Sequence, residues 1–226
     1  MTNQPAADST AHVSLELWSD LVSPWCWIAK RRIETAIAAF ERPPDVTLRM
    51  RAYEQDPQIP VGVRVGVAEH LGAIHGSVAA GHELTQRASE VGAADDLVFD
   101  WKQAVRANSF DAHRLCALAL ELGGPALQSA AFERFYSAHF TEGLALDDHE
   151  VLQRTAAEAG LDERRVAAVL AGEAYAETVR ADEHRAQVIG VTSVPHLVAN
   201  GHAALSGARS VDEYLALLRA VVTHQV

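Results

Sequence analysis

Val13, Leu15 and Leu17 alternate with Ser14, Glu16 and Trp18, a period of two that predicts a strand with two distinct faces. Cys26, Ala29, Ile33, Ile37 and Phe40 then recur at steps of three and four, the stripe of an amphipathic helix. Ser23 suits the N-cap and Pro24 the first helical position, so the helix is predicted to start there. Cys26 follows one turn in, leaning inward, with Ser23 on the same side and leaning outward. A second alternation, Val46, Leu48 and Met50 against Thr47, Arg49 and Arg51, completes a β-α-β unit expected to be parallel and right-handed.

At the other end, Pro195 to Ala199 and His202 to Leu205 flank Asn200-Gly201, a strong hairpin signal. Val211, Tyr214, Leu215, Leu218 and Val222 then mark a last helix, so the C-terminal part reads β-β-α. Between the two parts the patterns are helical. Val67, Leu71, Ile74 and Val78 form one stripe, and Ser109 is placed to cap a helix running to Glu121 before Gly123-Gly124. Further helices are expected from Pro125 to about Phe140, Asp148 to Ala159, Asp162 to Ala171 and about Glu173 to Ile189. The chain thus divides into a flexible tail (1–12), a first half-domain (13–55), a helical insertion (56–189) that should cover one side of the site and shape a pocket, and a second half-domain (190–226).

The chemistry concentrates where the first strand meets its helix. Ser23-Pro24-Trp25-Cys26 has C-x-x-C spacing with serine in the first position. The unpaired N–H groups and dipole of a helix start favour an anion, so a thiolate there would have a lowered pKa. A dithiol site needs an outer sulfur to attack and an inner one to resolve, and an unassisted serine hydroxyl is a far weaker nucleophile. The bland alternative is that Ser23 only caps the helix and Cys26 only fills the core.

Asp20 to Arg32, Asp111 to Leu115, Phe140 to Gly143 and Gly190 to Pro195 are spread in order over nearly the whole chain. Together with the β-α-β and β-β-α halves, they make the chain resemble the DsbA-like oxidoreductases of thioredoxin fold, in particular the FrnE branch, which carries C-P-W-C where this chain has Ser23 to Cys26. The resemblance implies an α/β thioredoxin-like fold with a large all-helical insertion. It also implies a cis Pro195, with the Val194 backbone beside the active site to pair with a bound thiol or peptide; the plainer role is a proline at the start of an edge strand. The related kappa-class glutathione transferases and hydroxychromene carboxylate isomerases place serine where Ser23 stands, which implies a site that holds the thiolate of a bound small thiol.

Composition narrows the field. With 226 residues, 49% of them hydrophobic, the chain can bury a core as one domain with an insertion. A net charge of −11 argues against nucleic acid as a partner. Lys30-Arg31-Arg32, the one basic cluster, is expected on the solvated side of the first helix. The N-terminus has neither a basic segment nor an apolar core, and no run approaches a membrane span, so a cytoplasmic protein without membrane contact is expected. The two cysteines lie far apart in sequence; Cys116 reads as a core residue that could pair with Cys26 only if the fold brought them together. His196, next to Pro195, is a candidate base or thiol-polarising group, although strand alternation could equally turn it away. No metal-ligand spacing is present among the 11 histidines. Trp25 could wall a substrate cleft, while Trp27 reads as core.

The expected function is a DsbA/FrnE-like thiol-disulfide oxidoreductase with Ser23 and Cys26 as catalytic candidates and Pro24, Trp25, Val194, Pro195 and His196 as substrate-binding candidates. The alternatives are a thiol-dependent transferase or isomerase, with Ser23 holding a bound thiolate, and a non-catalytic binding module. No tightly bound cofactor is expected beyond glutathione or another low-molecular-weight thiol; the partner would be a thiol or disulfide substrate, small molecule or peptide, and a homodimer is left open. Because no second cysteine lies within helical reach of Cys26, the protein should not catalyse net disulfide formation in a reduced substrate, whereas Ser23→Cys should create that activity. Oxidase turnover by the unaltered chain that survives Cys116→Ala, in an oxidative refolding assay, would contradict this.

Overall fold

In the computed structural model, which describes residues 12–40 and 45–223, β1 (His12–Ser19) leads into α1 (Pro24–Ala38), and β2 (Asp45–Ala52) returns parallel to β1. Of the expected flexible tail, residues 1–11 lie outside the described residues, and His12 already belongs to β1. At the other end β3 (His196–Ala199) and β4 (Ala203–Ser206) precede α8 (Val211–Thr223). The sheet order is β2-β1-β3-β4, with β3 antiparallel to both neighbours. This is the α/β thioredoxin-like arrangement expected from the sequence. Asn200 and Gly201 both take positive φ, 50° and 75°, which is why an Asn-Gly pair sits there. His202 joins the connection instead of the strand, its N–H donating to the Ala199 carbonyl at 3.2 Å.

The inserted segment forms α2 (Val67–His75), α3 (Val78–Ala93), α4 (Phe110–Phe140), α5 (His149–Glu158), α6 (Glu163–Leu170) and α7 (Ala176–Val188). The single stripe from Val67 to Val78 is in fact two helices. The chain turns at Gly76 (φ 87°), and the Ser77 hydroxyl caps α3 by accepting from the Ala80 N–H. Ile74 and Val78 are exposed, whereas the real contact between α2 and α3 is backbone to backbone, since a Cβ on Gly81 would lie 2.1 Å from the Ala68 oxygen and 2.6 Å from the Gly72 nitrogen. Glycine, not a leucine-type stripe, sets that hairpin. Within α4, Gly123 (φ −141°) and Gly124 (φ 66°) break the helix, as the Gly-Gly-Pro sequence predicts. By length and composition α4 could cross a bilayer, contrary to the expectation for this chain. Its Leu115, Leu118, Phe132 and Phe135 instead fill the protein core. The last inserted helix starts at Ala176, three residues later than expected, after Tyr175 takes φ 65°.

β1 departs most from the two-faced reading. Val13, Leu15 and Leu17 are buried, but so are Glu16 and Trp18 on the opposite face. That face is covered by α7: the Trp18 indole donates to the Asp182 carbonyl at 2.9 Å, and Arg185 donates to Glu16 at 2.5 Å. Arg51 bridges the same cluster, donating to Glu16 Oε1 at 2.9 Å and to Asp182 Oδ1 at 2.7 Å. The outer edge of β2 is occupied by side chains. Gln128 accepts from the Met50 N–H and donates to its carbonyl (3.0 and 3.1 Å), and Asp182 accepts from the Ala52 N–H at 3.2 Å. An edge strand that would otherwise offer unpaired N–H and C=O groups is closed by the insertion. Asp182→Ala should therefore destabilise by about 2 kcal/mol, because it removes one of the two carboxylates that meet Arg51 and leaves the Ala52 N–H without its acceptor in a largely buried place. Urea denaturation monitored by circular dichroism checks this; a change below about 0.5 kcal/mol would show that α7 is not held to the sheet by this cluster.

Candidate active site

Ser23 occupies the N-cap position of α1 with extended backbone (φ −106°, ψ 114°), and Pro24 starts the helix, but the serine side chain makes no capping hydrogen bond. Ser23 is also only 1% exposed, so the expectation of an outward-leaning cap is corrected on both counts. Cys26 leans inward as expected and is completely buried, with the Asp20 N–H directed at its sulfur at 3.5 Å. Burial pushes the Cys26 thiol up to about 12, outweighing the hydrogen bonds from Ser23, Asp20 and Ser19 that favour the thiolate. The helix start that would activate an outer cysteine does not activate this inner one. Cys116 is likewise buried, with its thiol pushed well up by desolvation, and both cysteines are free.

Asp20, to which the sequence assigned no role, is the centre of the turn between β1 and α1. It is fully buried, and its carboxylate accepts the Val22 N–H (3.3 Å), the Gln55 N–H (2.7 Å) and the Ser109 hydroxyl (2.8 Å). Ser109 was expected to cap α4, yet its hydroxyl is turned to Asp20, and the Asn108 side chain accepts the Phe110 N–H instead. An acidic residue directly ahead of an apolar pair at the end of a strand is the signal that could have drawn attention to Asp20.

A cavity of about 550 Å³ opens at this turn, lined by Asp20, Ser23, Pro24 and Trp25 together with Ser109 and His139 and by apolar side chains of α2 and α3. The insertion thus shapes a pocket against the motif. His139 is fully buried, its Nδ1 lies 3.3 Å from the Leu144 carbonyl oxygen, and desolvation lowers its pKa to about 4. Ser23, Pro24 and Trp25 are therefore brought together at the cavity, with Cys26 behind them. Val194, Pro195 and His196 are not part of its lining. The Val194–Pro195 peptide is cis, the Pro195 carbonyl accepts from the Gly207 N–H at 2.8 Å, and His196 Nδ1 lies 2.8 Å from the Ser206 hydroxyl, edge-on to Trp18.

The basic cluster of α1 is not the solvated face expected. Lys30 is 2% exposed and pairs with Glu34 and Glu133, Arg31 pairs with Glu133, and Arg32 with Asp95. Trp27 is core as expected, stacked on Tyr136 and Phe140 with its indole N–H donating to Glu133 at 3.0 Å. Since burial keeps the Cys26 thiol protonated at pH 7 and away from solvent, iodoacetamide should modify Cys26 far more slowly in the folded protein than in the unfolded one. The raised pKa favours the folded state below the free-thiol pKa, and that stability is lost as pH rises from about 9 toward 12. Fast labelling of Cys26 at neutral pH, read by mass spectrometry, would identify it as an activated nucleophile and overturn this assignment.

Comparison with known proteins agrees with the fold and extends it. A family model, the DSBA-like thioredoxin domain, matches residues 14–219. A Streptomyces coelicolor structure described as a probable DsbA oxidoreductase is 34% identical, with a TM-score of 0.87 over 92% of this chain and 89% of that one. More distant structures share the fold. A 2-hydroxychromene-2-carboxylate isomerase is 16% identical (TM-score 0.67, 92% and 94% covered), and the cytosolic disulfide reductase DsbM of Pseudomonas aeruginosa is 17% identical (TM-score 0.66, 93% and 98% covered). No curated protein sequence matches. With a β1–α1 turn that carries Ser-Pro-Trp-Cys and a family match running over nearly its whole length, the chain belongs to the DSBA-like thioredoxin domain family, a thiol-disulfide oxidoreductase-like family.

Proposed function

We propose that this chain is a thiol-dependent oxidoreductase in which a bound low-molecular-weight thiol, glutathione or one of similar size, supplies the reacting sulfur at Ser23. The observation that carries the reading is the contrast between a sealed Cys26, with its thiol near 12, and a cavity whose lining includes the largely buried Ser23 but not Cys26. Ser23 would turn its hydroxyl from the Cys26 sulfur to donate it to the ligand's thiolate, and the start of α1, which no side chain caps, adds the favourable end of the helix dipole. Asp20 lies in the same lining, but its charge is already met by two N–H groups and the Ser109 hydroxyl. The Val194 backbone, just ahead of β3, is the proposed partner for any peptide portion of the thiol.

In thiol–disulfide exchange the bound thiolate attacks one sulfur of a substrate disulfide. A new S–S bond forms as the old one breaks, the departing sulfur leaves as a thiolate, and a second thiol molecule resolves the mixed disulfide. Cys26 takes no part in that sequence. A reducing cytosol would supply the thiol, and of the neighbours of this fold, DsbM is described as cytosolic and with GSH. The apolar walls of the cavity favour a second reading, in which the same thiolate adds to a carbon electrophile in a transferase or isomerase reaction.

The two readings separate in one set of assays. With glutathione and bis(hydroxyethyl) disulfide, turnover above the uncatalysed rate should survive Cys26→Ala and fall roughly tenfold to a hundredfold in Ser23→Ala, the loss of a hydrogen bond worth about 1.5–3 kcal/mol to a charged group. Turnover with chlorodinitrobenzene but not with the disulfide would select the transferase reading. Loss of all activity in a folded Cys26→Ala protein would make Cys26 the nucleophile and end the proposal.

A further inference from the structure

The accessible charges of the cavity lining lie at its exposed side, away from Asp20. Asp20 and Ser109 have spent their polar atoms on each other and on backbone N–H groups. Asp56 and Arg106, both in the lining, form an ion pair that is only partly covered, with side chains 50% and 21% exposed. Nη2 of Arg106 donates to Asp56 Oδ2, while Asp56 Oδ1 and the rest of the guanidinium make no hydrogen bond among the described residues. Both members are fixed from behind. The Arg106 N–H donates to the Val65 carbonyl at 2.8 Å and the preceding Val105 bridges Gly66, while Asp56 follows Gln55, whose N–H is held by Asp20 at 2.7 Å. Beside the pair, desolvation and the Arg106 charge hold His70 below its ordinary value, so at pH 7 it is neutral. The cavity that includes Ser23 thus also presents a fixed pair of opposite charges, each with hydrogen-bonding capacity to spare.

We infer that the Asp56–Arg106 pair receives the zwitterionic head of an α-amino acid, so that the thiol bound at Ser23 is one carrying a free α-ammonium and α-carboxylate. The ammonium would donate to Asp56 Oδ1 and the carboxylate would accept from the Arg106 guanidinium, setting the charges in alternation without parting the ion pair. This rests on the function proposed above and names the class of its thiol. A thiol with a carboxylate alone meets the Asp56 charge, and one with an ammonium alone meets the Arg106 charge; each leaves half of the pair unanswered. The volume of about 550 Å³ suits a tripeptide-sized thiol, and Trp25, Leu71 and Trp101 offer apolar contact for the methylene groups that join sulfur and head.

Thiols that differ only in the head test this by calorimetric titration into the full chain at pH 7 with no disulfide present. They are glutathione, glutaryl-cysteinylglycine, which lacks the α-ammonium, and γ-aminobutyryl-cysteinylglycine, which lacks the α-carboxylate. Each analogue should bind about fivefold or more weakly than glutathione, the scale of a partly exposed charge pair. Arg106→Gln should bring glutathione down to the level of the aminobutyryl analogue without weakening that analogue. Asp56→Asn should bring it to the level of the glutaryl analogue in the same way, with circular dichroism confirming that both variants are folded. Analogues that bind as tightly as glutathione, or variants that weaken every thiol alike, would overturn the inference and leave the Ser23 reading standing, the ion pair then only joining two loops. Absence of binding by all of these thiols would instead end the thiol reading itself, and this inference with it.

Discussion

One buried carboxylate ties together the segments on which the candidate site depends. Asp20 fastens the β1–α1 turn to its own Val22 N–H, to the chain leaving β2 through Gln55, and to the entrance of α4 through Ser109. Burying such a charge is unfavourable by several kcal/mol unless its oxygens are met, and three donors drawn from three parts of the chain meet them. Its own carbonyl accepts the Ser23 N–H at 3.1 Å, and its N–H faces the Cys26 sulfur. The position of the motif is therefore set by a group outside the motif.

Other buried charges dock the insertion onto the sheet in the same manner. Glu16, Arg51, Asp182 and Arg185 hold α7 on β1 and β2, while Glu133 of α4 collects Lys30, Arg31 and the Trp27 indole from α1. The shared stretches that suggested the family are accounted for by such contacts. Arg114 pairs with Asp111 and donates to the carbonyls of Val169, Gly172 and Ala174, so it closes the end of α6. Gly143 (φ 69°) passes so close to Gln103 that a Cβ would clash at 2.3 Å, and Thr141 donates to the Val98 carbonyl at 2.7 Å. None of these residues lines the cavity.

The serine in the motif changes what the fold can do. A cysteine at the helix start would be the outer, attacking sulfur of a dithiol pair, whereas Cys26 one turn later lies where desolvation dominates every hydrogen bond offered to it. Burial destabilises the thiolate by more than the hydrogen bonds from Ser23, Asp20 and Ser19 recover, which leaves the thiol at about 12. We accordingly propose that the reactive sulfur comes from a ligand, with the cavity as its space.

Much of this was legible in the sequence. The alternation around Leu15 and Leu48, the i, i+3, i+4 stripe from Cys26, the Asn200-Gly201 turn and the Gly123-Gly124 break are local signals, because strand pleat, helical pitch and positive φ are properties of a few adjacent residues. The Ser-Pro-Trp-Cys spacing likewise pointed to the candidate site and its missing first cysteine. What the sequence could not decide was set by partners distant along the chain. Glu16 and Trp18 read only as the second face of β1 until α7 covered them, Lys30 read as surface until Glu133 met it, and Ser23 and Ser109 read as caps until their surroundings buried them. His139 carries no local pattern, and Asp20 only that of an acidic residue ahead of Leu21-Val22 at the end of a strand. Their importance arises from burial and from which donors and acceptors the tertiary structure leaves beside them, and burial is a property of the assembled fold.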